Sequence, residues 1–269
     1  MTALAAVVLV GPGCGDATKI AENTFEPASP GTVVVATSLP SPGFWEGDDV
    51  STLDGGFEWG LARAIADDLG LGVSFRDVPF PDIVTGELHG ADLALAQVSI
   101  TDEREDRVEF SVTYFDSAPA VLAPSDADDI RDLATARDRR WVVERATTEQ
   151  DFVGDVIRPD EPVVTVDDEA EAVDAVMAGD AEAALLDLPA ALVIAAQVPG
   201  LEVDARFDDP ERYGVVLPEH APDINRRAID KALRGLLADG TVDDLADRWL
   251  QPVFASDPDD IPVIETGTS

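Results

Sequence analysis

Cysteine is almost missing from this chain: Cys14 is the only one in 269 residues, which excludes an intramolecular disulfide and a cysteine-based metal cluster. Histidine is nearly as scarce. His89, in Leu88-His89-Gly90, and His220, in Glu219-His220-Ala221, read as surface residues, and no Ser-His-Asp or Cys-His set can be assembled around them. Basic residues number 18 against 55 acidic ones, a formal net charge of -37, and no basic patch is visible. Nucleic acid is therefore excluded as a partner, because phosphate binding depends on clustered Lys and Arg that release counterions. Past the N-terminus no stretch reaches the about 18 uninterrupted apolar residues of a membrane-spanning helix, and no tandem repeat is evident.

What is present is a chain with 45% apolar and 27% charged residues, enough to bury two medium cores. A carboxylate-covered surface stays soluble and self-repelling, which suits a saline or alkaline habitat where salt mutes the repulsion. Ala3 to Val10 is a short apolar run ending in Gly11-Pro12-Gly13-Cys14, which resembles the end of a bacterial lipoprotein signal, with Cys14 as the lipidated residue. Gly11 stands where such signals usually carry Leu, and no Lys or Arg precedes the run. Residues 1–14 are thus expected to be a signal segment, and the polar stretch 15–31, with Pro27 and Pro30, a flexible tether.

From Val33 onward short β-rich runs alternate with amphipathic segments, the pattern of α/β units. A strand is expected over Val33 to Ala36. Phe57 to Leu69 carries Leu61, Ile65 and Leu69 on one helical face, closed by Gly70 as a C-cap. A strand at Val73 to Phe75, a helix over Pro81 to Leu88 and a strand at Ala91 to Gln97 follow. The second block reads as helix Asp128 to Ala136, strand Trp141 to Glu144, a helix from Thr148, strand Val163 to Val166, helix Glu169 to Ala178, strand Ala183 to Leu186 and helix Pro189 to Ala196. A helix from Ile224 to Ala238 and a Thr241-capped helix carrying Trp249 end the pattern. The blocks abut near Ala118 to Ser125, and a second extended stretch, Tyr213 to Pro218, leads back. Two crossings make a hinge, and loops at the carboxyl ends of the strands would line a cleft between the lobes. The expected division is 32–119 with 217–254 as lobe 1, 120–216 as lobe 2 and 255–269 as a C-terminal tail.

The strongest local signal is Gln97-Val98-Ser99-Ile100-Thr101-Asp102-Glu103-Arg104, followed by Val108-Glu109-Phe110-Ser111 and Tyr114-Phe115. A β-run leading into hydroxyls and one Arg offers a five-donor fork beside short neutral donors, suited to a carboxylate. Here the chain resembles the bacterial extracellular solute-binding proteins that serve ABC importers of polar amino acids. Gly56-Phe57-Glu58, Thr147-Thr148, Ala183-Ala184-Leu185-Leu186-Asp187 and Leu237-Ala238-Asp239-Gly240-Thr241 through Arg248-Trp249 extend that resemblance over Val33 to Phe254. It implies a two-lobed type II periplasmic-binding fold, each lobe a mostly parallel sheet flanked by helices. It also implies an extracytoplasmic protein, anchored only by lipid, that closes on an amino acid and hands it to an ABC permease, with no cofactor, no metal and no partner copy. By the same resemblance Arg104 grips the ligand α-carboxylate beside Ser99 and Gln97, Thr148 with Thr147 adds to that anion site, and Asp187 receives the α-ammonium. Asp187 could equally cap the helix at Pro189, and Thr147 and Thr148 could be only an N-cap pair.

Departures from the pattern are Gly60, where a second acid is usual, Ala146 in place of Gly before the Thr pair, and Ser38 and Ser41, where relatives often carry Asp and an aromatic. Phe44, Trp45 and Phe80 are then the candidates for an aromatic wall, each also a candidate for the core. Glu144 matches a position that reaches the ligand side chain, and Glu149 lies just inside the next helix; two acids there favour a cationic or amide side chain. The rival readings are a stand-alone sensor and a dehydratase-like enzyme on the same fold. Runs such as Asp126-Ala127-Asp128-Asp129 and Asp257-Pro258-Asp259-Asp260 lack an EF-hand's spacing and its Gly, and read as solvated acid.

Overall fold

The computed structural model describes residues 25–47 and 49–267. Cys14, the apolar run before it and the tether up to residue 24 lie outside the described residues. In the first lobe β1 (Thr32–Thr37) leads through a long loop into α1 (Phe57–Leu69). The helix ends where predicted: Gly70 sits at φ 69°, Leu71 N–H bonds the Ala66 carbonyl at 2.9 Å, and Leu61, Ile65 and Ala66 are buried. β2 (Gly72–Asp77), α2 (Phe80–Ile83), β3 (Leu93–Ala94), α3 (Asp102–Glu105) and β4 (Val108–Ser117) complete this pass. The helix expected over Pro81 to Leu88 stops after one turn, because the Thr85 hydroxyl bonds back to the Pro81 and Asp82 carbonyls and Gly86 turns at φ 83°.

The second lobe runs β5 (Pro119–Pro124), α4 (Leu133–Arg137), β6 (Trp141–Glu144), α5 (Thr148–Phe152), β7 (Val164–Val166), α6 (Glu169–Ala178), β8 (Ala183–Asp187), α7 (Leu188–Gln197) and β9 (Leu201–Phe207). α4 starts later than the expected Asp128, because Asp132 and Thr135 form a capping box there. α5 is five residues long and widens into a π turn over 153–157. The chain then returns through β10 (Glu211–Pro218) to α8 (Asp223–Ala238) and α9 (Thr241–Trp249). Gly240, at φ 85°, is the N-cap of α9; Thr241 is its first helical residue, with its hydroxyl turned back on Asp239.

Each sheet is mostly parallel, as expected, with a single strand running against the others. In the order β2-β1-β3-β10-β4 the first three strands are parallel and β10 runs against β3 and β4. The second sheet ends in β11 (Val263–Ile264), ordered β11-β9-β5-β8-β6-β7, with β5 antiparallel to both neighbours. Three boundaries differ from expectation. β10 belongs to the first sheet from Glu211, so the second lobe closes before it rather than at 216. The stretch expected as a tail carries β11, so the chain crosses between lobes three times, and Phe254 packs into the cores of both. The end of the expected tether is docked: Phe25 is buried in the first core, and Glu26 and Ala28 donate their N–H groups to Asn225 and Asp92 at 2.8 and 2.7 Å.

Candidate functional site

The loops at the carboxyl ends of the strands meet in a narrow cleft of about 50 Å³, partly open to solvent. The first lobe contributes Ser38 to Ser41 after β1, Phe80 from α2, Ala96 and Gln97 after β3, and Arg104 from α3; the second contributes Glu144, Thr147, Thr148 and Glu149 around β6 and α5, Asp168 and Glu169 at the start of α6, and Asp187 at the end of β8. Parallel strands put these loops on one side, which is why residues far apart in sequence converge.

Arg104 is 7% exposed. The Thr101 hydroxyl caps its short helix at 3.2 Å, and the guanidinium then donates to the Ser99 carbonyl at 2.8 Å and, across the cleft, to the Ala146 carbonyl at 3.0 Å. Its carbon lies 5.6 Å from the centre of the Phe80 ring, a cation–π contact. Burial lowers its pKa while Glu149, Glu211 and Asp187 oppose the shift, and a guanidinium stays charged in any case. Ala146, which stands where Gly was expected, adopts φ 64°, the left-handed conformation that glycine reaches freely and a side chain makes strained.

Asp187 is the N-cap residue of α7 yet makes no side-chain cap bond; its Oδ1 accepts from Ser117 at 2.9 Å instead. Thr147 does act as a cap, accepting from Gln150 N–H at 3.2 Å and donating to the Glu144 carbonyl at 2.8 Å. Thr148 is the freer hydroxyl, 3.3 Å from Glu149. Ser99 faces Arg104 with its carbonyl, while its buried hydroxyl has no partner. Phe44 and Trp45 are not cleft walls. Phe44 is buried among the rings of Phe57, Phe115 and Tyr213, and Trp45 packs on Phe75 and donates its indole N–H to Glu58 at 2.8 Å, leaving Phe80 as the aromatic lining. At Gly60 a Cβ would stand 2.5 Å from Leu245 of α9, so packing takes the place of the second acid.

Acid dominates the electrostatics. Glu149, Asp187 and Glu211 bring carboxylate oxygens within 4.8 Å of one another, and Glu149, 3% exposed, leaves Oε1 without a partner. Burial raises the pKa of all three; Asp187 raises Glu149, both raise Glu211, and the hydrogen bond with Glu211 draws Glu149 and Asp187 back down. Burial also pushes Glu144 up to about 9 and Glu169 up to about 8, helped in each case by Asp168. Glu211, Asp168 and Glu169 were not singled out from the sequence. Glu211 shares a strand face with Tyr213, a usable signal, whereas Asp168 reads as the N-cap it also is, accepting from Glu171 at 2.8 Å. His89 pairs with Asp82 on the surface at 3.0 Å, and His220 is exposed.

The model of the bacterial extracellular solute-binding proteins, family 3, matches residues 33–252. The chain belongs to this family. Among curated family relatives, the amino-acid-binding protein AabA of Dichelobacter nodosus is 28% identical over 200 residues, 72% of this chain and 78% of AabA. The ABC transporter arginine-binding protein 1 of Escherichia coli (strain K12) is 24% identical over 199 residues, 72% of this chain and 81% of its own length. The solved structure of an ancestral arginine-binding protein bound to glutamine superimposes with a TM-score of 0.74 at 29% identity, covering 81% of this chain and 97% of that one. Family 3 proteins are extracellular solute binders, and no helix among the described residues is long and apolar enough to cross a membrane.

Proposed function

We propose that this protein binds an amino acid with a positively charged side chain and delivers it to an ABC importer by closing its lobes. The carrying observation is the imbalance of the cleft: Glu144, Glu149, Asp168, Glu169, Asp187 and Glu211 gather around Arg104 alone. An α-carboxylate engages Arg104 and the Thr148 hydroxyl, and Phe80 covers the ligand. The α-ammonium lies at Asp187 with Glu149 and Glu211. A side-chain cation then meets Glu144, Glu169 and Asp168; without it, burial keeps Glu144 and Glu169 protonated. An arginine-binding relative and an ancestral arginine-binding protein bound to arginine support this charge logic.

Closure follows from the division of contacts. Carboxylate donors come from both lobes and ammonium acceptors from the second lobe and the hinge strand, so only the closed state engages the whole ligand, and the ligand shifts the population by that differential affinity. The protein works as a monomer without a cofactor or resident metal, held outside the membrane by lipid on Cys14 and docking on the permease; membrane partition that survives in a Cys14→Ser variant would remove the anchor.

A dehydratase on this fold needs a placed proton donor; Glu144, Glu149 and Glu169 are candidates by their raised pKa values, and the most strongly raised of the four is Glu211, pushed up to about 12 beside Asp187. Binding without turnover is the reading favoured, because that acid faces two further carboxyls rather than a leaving group. Calorimetric titration with L-arginine, L-lysine, L-glutamine and L-glutamate tests the assignment. Arginine or lysine should bind at least tenfold tighter than glutamate; preference for glutamate would overturn it, and product formed from a cyclohexadienyl substrate would restore the enzyme.

A further inference from the structure

Glu58, in the first turn of α1, is fully buried beneath the cleft. Four donors converge on its carboxylate: Trp45 Nε1 at 2.8 Å and Gln97 Nε2 at 3.2 Å on Oε2, and Gln97 backbone N–H at 2.8 Å with the Tyr114 hydroxyl on Oε1. These occupy the acceptor sites of an ionised carboxylate. Burial pushes the group's pKa up, and the four bonds pull it back. For packing alone an apolar side chain would serve as well, since a buried charge is costly unless fully partnered.

What the carboxylate holds is Gln97. This residue stands at φ 50°, in the left-handed region that a side chain makes unfavourable. Both its backbone N–H and its side-chain amide are tied to Glu58, while its Oε1 accepts from the Ser41 hydroxyl at 3.1 Å. Gln97 and Ser41 both line the cleft. Two residues on, the Ser99 carbonyl receives the Arg104 guanidinium at 2.8 Å. One buried carboxylate thus anchors the turn that carries a cleft amide, a cleft hydroxyl and the carbonyl orienting the only cleft guanidinium.

We propose that Glu58 is a positioning residue for ligand binding, pinning Gln97 in its left-handed conformation and through it setting Ser41 and the Ser99 carbonyl that orients Arg104. The inference rests on amino-acid binding in this cleft. Displacement of a binding group by even an ångström carries losses of up to about a hundredfold, so Glu58→Gln, which puts an amide NH2 against two of the four donors whichever oxygen it replaces, is expected to weaken L-arginine and L-glutamine at least tenfold.

A double-mutant cycle separates positioning from general destabilisation. In a Gln97→Gly background, where strain and side-chain amide are both gone, Glu58→Gln should cost little further affinity. Losses that simply multiply, or a Glu58→Gln protein that binds as well as wild type, would overturn the proposal. Amide NMR of the ligand-free proteins supplies the readout independent of ligand identity. Glu58→Gln should move the Gln97, Val98 and Ser41 amide resonances and the Trp45 indole resonance, while the β6 and β8 resonances stay in place. If the wild type binds neither amino acid the ligand assignment fails first, and unshifted Gln97 and Ser41 resonances would then still refute the role of Glu58.

Discussion

Raising the pH from 6 to 8 should tighten the binding of a basic amino acid steeply. In the closed cleft Glu144 and Glu169 are held at about 9 and about 8, so both are mostly protonated at pH 7. A cation seated between them restores the ordinary carboxylate value near 4.5, and binding expels the protons. For Glu169 alone the protonated fraction falls from nearly complete at pH 6 to half at pH 8, which corresponds to roughly a fiftyfold gain in affinity. Lobe opening rehydrates the carboxyls, so about fiftyfold for Glu169 and, by the same reckoning, about ninetyfold for Glu144 are ceilings. The sign follows from raised folded pKa values. The stabilisation that these acids give the ligand-free protein is full below about pH 4.5 and is lost as pH climbs through 8 to 9, which is when a cation is most favoured. Calorimetry of L-arginine at pH 6, 7 and 8, in buffers of different ionisation enthalpy, reads affinity and proton release together. The slope should be steeper for arginine than for glutamine and should flatten in Glu169→Gln. An arginine affinity independent of pH with no proton release would refute the reasoning.

Arg104→Ala should abolish amino-acid binding, at least a hundredfold in calorimetry, while the circular dichroism melt stays cooperative, because the group faces a wet cleft rather than a core. Glu211→Gln removes a carboxyl that the fold holds protonated, against its tendency to ionise, well above the ordinary carboxylate range. The ligand-free protein should melt at a higher temperature at pH 8 but not at pH 5, and L-arginine should bind more weakly; a melt shifted equally at both values would separate Glu211 from the cluster. Gly56→Ala puts a Cβ 2.2 Å from the Phe44 carbonyl oxygen at φ 111°, so a loss of about 3 kcal/mol or more is expected in urea unfolding.

Elements were legible where local chemistry and burial agree. The three-to-four spacing of Leu61 and Ile65 closed by Gly70, the run Trp141-Val142-Val143-Glu144, and Glu169 to Ala178 between Asp168 and Gly179 were each read to within a residue, because cap, period and stop all point one way. That Arg104 and Asp187 line one cleft was legible through a motif. Phe44 was not: in a loop of Ser, Pro and Gly nothing local shows that Phe57, Phe115 and Tyr213 enclose it. Glu211 was hidden by composition, since with 55 acidic residues one more carboxylate gives no contrast. β11 was hidden because a two-residue strand takes its identity from its partner, Arg206-Phe207 of β9.

The three passages between the lobes have a mechanical consequence. One strand joining two bodies lets them swivel, bend and slide. Here the β4–β10 ribbon, paired from Val108 and Pro218 up to Ser117 and Glu211, behaves as a leaf spring, and the passage through Phe254 is a second, offset support. Two separated supports suppress torsion and leave one easy coordinate, flexing across the ribbon. The lobes therefore meet in a fixed alignment each time, and the matching of Arg104 on one jaw to the acids on the other is set by the bearing before any ligand arrives.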